Sequence, residues 1–319
     1  LSNIGGVNGL LASSVKGNSE IKPERTAETE FGVDFSIMGG FATVEATMYT
    51  QKISDLILLV DMPASSGFSS SWENGGEMET KGTEFTLGLK PMDVGGLKWN
   101  FQMTYYKSES EVTKLTVDPY NYGGFADFLG TYRIEEGWAP TAIVGMEMDS
   151  VGLSFDSVFV NEVFTGFDTS TVYQHRKLGD ENPDYRISFQ NSFKYGPIEF
   201  SFLIDHKEGG SAINLANLIY DFGGTTADYE EQVLSGNRLE TWPLTYTQPY
   251  IESTTYTMLR DVSLTYTLPK NLSDVAGVGY LKLGLAGRNL WLDTDYTGIS
   301  PEVSQFGNEA VGGSIDTNP

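Results

Sequence analysis

The chain has 319 residues, 20 basic and 43 acidic side chains for a formal net charge of −23, 36 Gly, no Cys and two His. Without Cys there is no disulfide framework, no thiolate nucleophile and no Cys-ligated zinc or iron–sulfur centre. The acidity argues against nucleic acid as a partner, because no basic stripe is available to displace counterions from phosphates.

Leu1–Gly17 lacks the charged n-region and apolar h-region of a secretory signal, and the chain ends in the turn-forming run Asp316-Thr317-Asn318-Pro319. Both ends read as internal to a longer polypeptide. The longest apolar run, Leu56-Ile57-Leu58-Leu59-Val60, is far short of the ~20 residues a spanning helix needs.

Alternation of period two dominates the chain. Thr29, Phe31, Val33, Phe35 and Ile37 alternate with Glu28, Glu30, Gly32, Asp34 and Ser36, and a second segment sets Ala42, Val44, Ala46 and Met48 against Thr43, Glu45 and Thr47. A third has Phe85, Leu87 and Leu89, and a fourth Leu97, Trp99, Phe101, Met103 and Tyr105. The fifth and sixth carry Ile187, Phe189 and Phe193, then Ile198, Phe200, Phe202 and Ile204. The seventh and eighth carry Val262, Leu264, Tyr266 and Leu268, then Leu281, Leu283 and Leu285. Each predicts a strand with one apolar and one polar face.

The predicted connections alternate in length. Met38-Gly39-Gly40, Pro91–Gly96, Gly196-Pro197 and Pro269–Gly279 are short or moderate turns; the segments near 53–78, 107–185 and 207–256 are long. All long connections therefore lie on one rim, the plan of an outer-membrane barrel with short periplasmic turns and long extracellular loops. Tyr49, Tyr105, Tyr106, Tyr195, Tyr256 and Tyr280 fall near strand ends, as in an interfacial aromatic girdle. A soluble β-sandwich, with its apolar faces packed together, is the alternative this pattern leaves open.

Seven segments, in order, resemble the C-terminal barrel of SusC/RagA-type TonB-dependent outer-membrane transporters of Bacteroidetes. They are Lys16–Glu24 with the strand entry Glu28–Asp34, Met48–Ile57, Asn74–Glu84, Gly179–Tyr185, Leu259–Pro269, Gly287–Leu290 and Tyr296–Glu302. Thr80 stands where that family usually has Asn, and Ser300 where it has Asp. The resemblance implies an all-β fold: the last strands of a transmembrane barrel of about 22 strands, a size that encloses a plugged lumen. Residues 1–319 would be its C-terminal portion, with the plug, TonB box, signal peptide and closing strand outside this sequence.

The resemblance further implies active import of a large nutrient, an oligosaccharide or a peptide, across the outer membrane. TonB would supply the energy and a SusD-like lipoprotein the lid. Two readings of another class stay open: a non-transporting adhesion or structural barrel, and a secreted carbohydrate-binding sandwich. The motif residues Pro23, Glu24, Asn74, Gly75, Lys81, Gly82, Glu84, Asn182, Pro183, Arg260, Asn289, Leu290, Gly298, Pro301 and Glu302 are expected to serve turns and barrel architecture.

Enzyme chemistry is not expected. The carboxylate pairs Glu135/Glu136 and Asp293/Asp295 are what 43 acidic residues produce by chance, and His175 and His206 accompany no nucleophile motif. No cofactor is called for; Asp118–Asn121 and Asp293–Asp295 are oxygen-rich enough for Ca²⁺ but lack EF-hand spacing and read as turns. The long connections carry Trp72, Tyr120, Tyr122, Tyr132, Trp138 and Trp242. Flat aromatic faces suit sugar rings, so these are the candidate ligand contacts, with loop packing or lid contact as their structural alternative.

Overall fold

A computed structural model describes residues 2–4, 7–9, 13–123, 129–148, 157–160, 163–167, 173–231, 247–275 and 277–302. Its main body is an antiparallel sheet whose strands neighbour one another in chain order. They are β1 (Arg25–Ile37), β2 (Ala42–Asp61), β3 (Ser70–Val94) and β4 (Leu97–Leu115), then β5 (Pro183–Tyr195), β6 (Ile198–Gly209), β7 (Tyr256–Thr267) and β8 (Lys282–Asp293). All eight alternating segments are strands of this one sheet.

Register carries the alternation across the whole wall. One cross-strand row reads Phe35, Val44, Leu87, Met103, Phe189, Ile204, Leu259 and Trp291 from β1 to β8. The adjacent row, on the other face, reads Ser36, Thr43, Gly88, Gln102, Gln190, Leu203, Asp261 and Arg288. Hydroxyl pairs stitch the polar face: Thr104 with Ser188 and Ser201 with Ser263. The apolar face is left open, with Phe31 71% and Leu285 76% exposed. A sandwich would bury those side chains against a second sheet; a lipid-facing barrel wall leaves them bare to the protein.

The apolar face also carries an aromatic cluster close to the short turns. Trp99 stacks on Phe193 with centroids 5.6 Å apart, and Phe193 stacks on Phe200. The indole N–H of Trp99 donates to Asn191 Oδ1 at 3.0 Å, satisfying a polar side chain that sits among apolar neighbours. Short turns at Met38–Phe41, Gly95–Gly96 and Gly196–Pro197, and the helical turn α2 (Lys270–Val275), close one rim. No helix among the described residues is long and apolar enough to cross a membrane.

The second connection differs from expectation. Residues 53–78 are not a long loop: β2 continues to Asp61 and β3 begins at Ser70, so only 62–69 connect them. The apolar run Leu56–Val60 breaks alternation because this part of the sheet is packed on its inner side, as described below.

Candidate functional site

β2, β3 and β4 are 20, 25 and 19 residues long, whereas β5 to β8 have 12 or 13. β4 leaves β5 behind at the Tyr106–Arg186 pair and runs on to Leu115. Because β5 itself starts only three residues beyond that pair, at Pro183, β4 projects past it by six residues, and at about 3.3 Å per residue the three strands rise roughly 20 Å above their neighbours on the long-loop rim.

Motif residues from three segments lock the base of that projection. β2 has a bulge at Asp55, which takes φ +58° and throws the ladder out of register between Ile53 and Ile57. Backbone groups freed by a bulge need other partners. Glu24 Oε1 accepts from the Ile57 N–H at 2.8 Å, and the Asn74 amide donates to the Asp55 carbonyl at 2.7 Å. Asn74 also accepts from the Lys22 N–H and donates to the Lys22 carbonyl, so the segment around Pro23 is held as if it were a strand partner.

Lower in β3, Gly82 lies under the ring of Tyr49. A Cβ at position 82 would fall 2.1 Å from Tyr49 Cζ, so only glycine fits this close approach. Lys81 and Lys52 both pair with Glu79, at 2.6 and 2.9 Å. Glu84 stands on the polar face opposite Thr47 and Tyr106.

The second of the predicted long connections, 116–182, builds a four-stranded sheet from Tyr120–Tyr122, Thr131–Ile134, Ala142–Met148 and Tyr173–Asp180. The next, 210–255, adds a strand pair (Ser211–Ile213 with Ile251–Ser253) and helix α1 (Leu215–Gly223). Tyr132, Ile143, Ile213, Leu215, Leu218 and Tyr250 interlock as a buried core. Among the described residues the buried apolar cluster thus lies in the loops, not in the barrel wall. The Tyr250 hydroxyl donates to Asp221 at 2.8 Å, and Asn214 caps α1 by accepting from the Asn217 N–H.

The Asn182–Pro183 step joins this layer to the wall. Asp180 accepts from the Asn182 N–H and the Thr141 hydroxyl, and Pro183 opens β5 where no ladder donor is required. At the far end, Arg260 sits in a bulge of β7 and ties β6 to the segment after β8. It donates to Asp205 at 2.8 Å and to both carboxylate oxygens of Glu302, while the Tyr256 hydroxyl lies between the same two carboxylates, 3.0 Å from Asp205 and 2.9 Å from Glu302. The Arg260 guanidinium holds the Glu302 carboxyl below the ordinary glutamate range. Gly298 and Pro301 bend residues 294–302 back toward the rim, where Thr297 bonds Glu252 and Asn214. Asn289 takes φ +50° in β8, and Leu290 packs on Gly287.

A cleft of about 590 Å³ opens between the projecting strands and the loop sheet. Leu56, Leu58, Met78, Val112 and Leu115 line it from the wall, and Tyr120, Tyr122, Ile134 and Pro140 from the loops. Met78 and Val112 are a cross-strand pair two positions along from the Thr80–Ser110 hydroxyl pair, so the cleft lies on the polar, inner face. The Tyr122 hydroxyl donates to the Pro140 carbonyl, and burial pushes the Tyr120 and Tyr122 hydroxyls above the ordinary tyrosine range.

The candidate aromatics therefore divide. Tyr120 and Tyr122 line the cleft. Trp72 is 41% exposed near the tip of β3, opposite Leu59. Trp138 is half-buried, with Lys177 5.7 Å above its ring. Tyr132 has no accessible surface and packs in the loop core, which corrects its reading as a ligand contact. Trp242 lies outside the described residues. His206 belongs to β6, with its ring bonded to Thr257 and Glu208. Leu56 and Met78 of the cleft wall fall inside motif segments and Tyr256 among the strand-end tyrosines, but Leu58, Val112, Leu115 and Asp205 belong to no motif. The loss of alternation at Leu56–Val60 was the one available signal for the cleft.

Comparison with known proteins agrees with this architecture. A family model described as "TonB dependent receptor-like, beta-barrel" matches residues 3–290. The chain belongs to that family. TonB-dependent receptor P3 of Formosa agariphila is 25% identical over 93% of this chain and 32% of its own length. The TonB-dependent receptor SusC of Bacteroides thetaiotaomicron is 23% identical over 95% of this chain and 31% of its own. The chain thus spans about a third of the length of the curated relatives it matches. Among solved structures, the RagAB peptide transporter superposes with a TM-score of 0.71 at 19% identity, covering 94% of this chain and 34% of that one. Membership in the TonB-dependent receptor family implies the outer membrane, with the apolar face toward lipid and the polar face toward the lumen.

Proposed function

We propose that this chain forms the C-terminal wall and extracellular rim of an active importer of a large nutrient, an oligosaccharide or a peptide. The plug and TonB box belong to the remainder of a longer polypeptide. TonB supplies the energy, and a SusD-like surface lipoprotein closes the mouth. The observation that carries this reading is the asymmetry of the two rims: tight turns on one, and on the other three strands raised roughly 20 Å to hold a packed loop layer with its own core. A barrel that only anchors or adheres has no need of a cleft opening on its inner face. The relatives named as TonB-dependent receptors, and the structural likeness to a peptide transporter, support the same reading. Trp72, Tyr120, Tyr122, Trp138 and Trp242 are the aromatics proposed to meet cargo or lid, and Tyr132 packs behind Tyr122, with ring centroids 5.6 Å apart.

The test is uptake. Cells carrying the full-length receptor are fed fluorescently labelled peptide and oligosaccharide mixtures, with and without TonB and the neighbouring lipoprotein. The proposal predicts internal label that disappears when TonB is removed. Label that stays on the surface and ignores TonB would mean an adhesion barrel instead.

A further inference from the structure

The rim cleft holds two kinds of wall. Its floor is aliphatic: Leu56 and Leu58 of β2, Met78 of β3 and Val112 and Leu115 of β4; its roof is Tyr122, Ile134 and Pro140. The polar side chains in the lining are Asp61, Ser70, Tyr120, Asn121 and Tyr122. Two of these polar groups already have company: the Tyr122 hydroxyl is spent on the Pro140 carbonyl, and Asn121 Oδ1 accepts from Arg133 at 3.0 Å. A sugar ring presents hydroxyls around its whole edge, and each one taken from water without a partner costs free energy. This cleft has too few free donors and acceptors to satisfy them. An aliphatic or aromatic side chain has no such requirement and gains from burial. At about 590 Å³ the space falls within the range of small-ligand pockets, generous for one large side chain and adequate for two.

We infer that this cleft is a subsite for an apolar side chain of the cargo, and that the imported nutrient is accordingly a peptide with hydrophobic residues, not a glycan. The inference rests on the importer reading above and narrows it. The cleft sits on the inner face of the raised strands, beside the path cargo takes toward the lumen. The bulge at Asp55 and its locks from Glu24 and Asn74 hold Leu56 and Leu58 in place, so the subsite is preformed.

The experiment uses the full-length receptor with its lipoprotein, purified in detergent. It is incubated with a tryptic digest of casein mixed with maltooligosaccharides, washed, and the retained molecules are identified by mass spectrometry. Wild type is compared with Val112→Trp, which fills the cleft, and with Leu58→Thr, which makes its floor polar without adding bulk. Heat-modifiable gel migration confirms that each barrel is folded. The expected result is retention of peptides rich in Leu, Phe or Tyr, falling about tenfold or more in both variants, while polar peptides are unaffected. Retention of oligosaccharides in place of peptides, or the same hydrophobic peptides at undiminished yield in both variants, overturns the inference and leaves the importer reading standing. Retention of neither class, together with no TonB-dependent uptake, removes the importer reading itself.

Discussion

Asn74 accepts a hydrogen bond from the Lys22 N–H at 2.7 Å and returns one to the Lys22 carbonyl at 2.9 Å. A side-chain amide here imitates the backbone of a neighbouring strand for a residue 52 positions away. Its second donation, to the Asp55 carbonyl, joins the same amide to the bulge that starts the raised part of β2. The Lys16–Glu24, Met48–Ile57 and Asn74–Glu84 segments are therefore one structural unit.

Replacing Asn74 by Ala removes all three bonds and leaves the Asp55 carbonyl partnerless. The expected cost is about 1–3 kcal/mol, since the site is only partly buried. Residues 18–24 should loosen first. A Glu-specific protease acting on the folded receptor should cut faster at Glu20 and Glu24 in Asn74→Ala than in wild type. Asn74→Asp, which keeps the acceptor and loses the donors, should fall between them.

Gly82→Ala places a methyl group where the Tyr49 ring now lies. Overpacking of this kind costs about 1–3 kcal/mol, read as a lower unfolding midpoint in urea. Tyr49→Leu in the same chain should recover part of that loss. A strictly additive double mutant would contradict the close-approach account.

The Arg260–Glu302 pair makes the rim sensitive to acid. Because Arg260 lowers the Glu302 pKa, the stabilisation is complete above the ordinary glutamate range and is lost as the pH falls below it. Hydrogen-exchange protection at residues 294–302, taken relative to the intrinsic rate at each pH, should fall on acidification in wild type. In Glu302→Gln it should already be low at neutral pH, and should lack that acid-induced step.

On the lipid face, Trp99→Phe strands the Asn191 amide without its indole donor. A loss of about 1–2 kcal/mol is expected, because an unpaired polar group in hydrocarbon has no water to turn to. Trp99→Phe combined with Asn191→Leu removes both partners and should regain most of the stability in detergent unfolding.

The eight wall strands could be read from the sequence because each faces lipid on one side and a wet lumen on the other, which writes period two directly into residues such as Phe31–Ile37 and Leu97–Tyr105. The raised ends of β2 and β3 could not. Leu56–Val60 meets apolar groups where a polar face was expected, and Ser70–Gly76 is rich in Ser, Asn and Gly, which usually signal turns. The motif residues Glu24, Asn74, Arg260 and Glu302 stood out, but the contacts that join their segments span 19 to 55 positions and depend on register. Tyr132 shows the limit most clearly: in a long connection an aromatic can equally serve a surface or a core, and only the packing of Ile143, Leu215 and Tyr250 decides it.

The central claim, that this chain is the wall of a lidded importer, is tested most directly by native mass spectrometry of the full-length protein extracted from its own outer membrane in detergent. The account predicts a chain about three times this length carrying a lipidated partner and releasing bound peptide on activation. A lone chain that remains soluble when detergent is removed, with neither partner nor cargo, would contradict it.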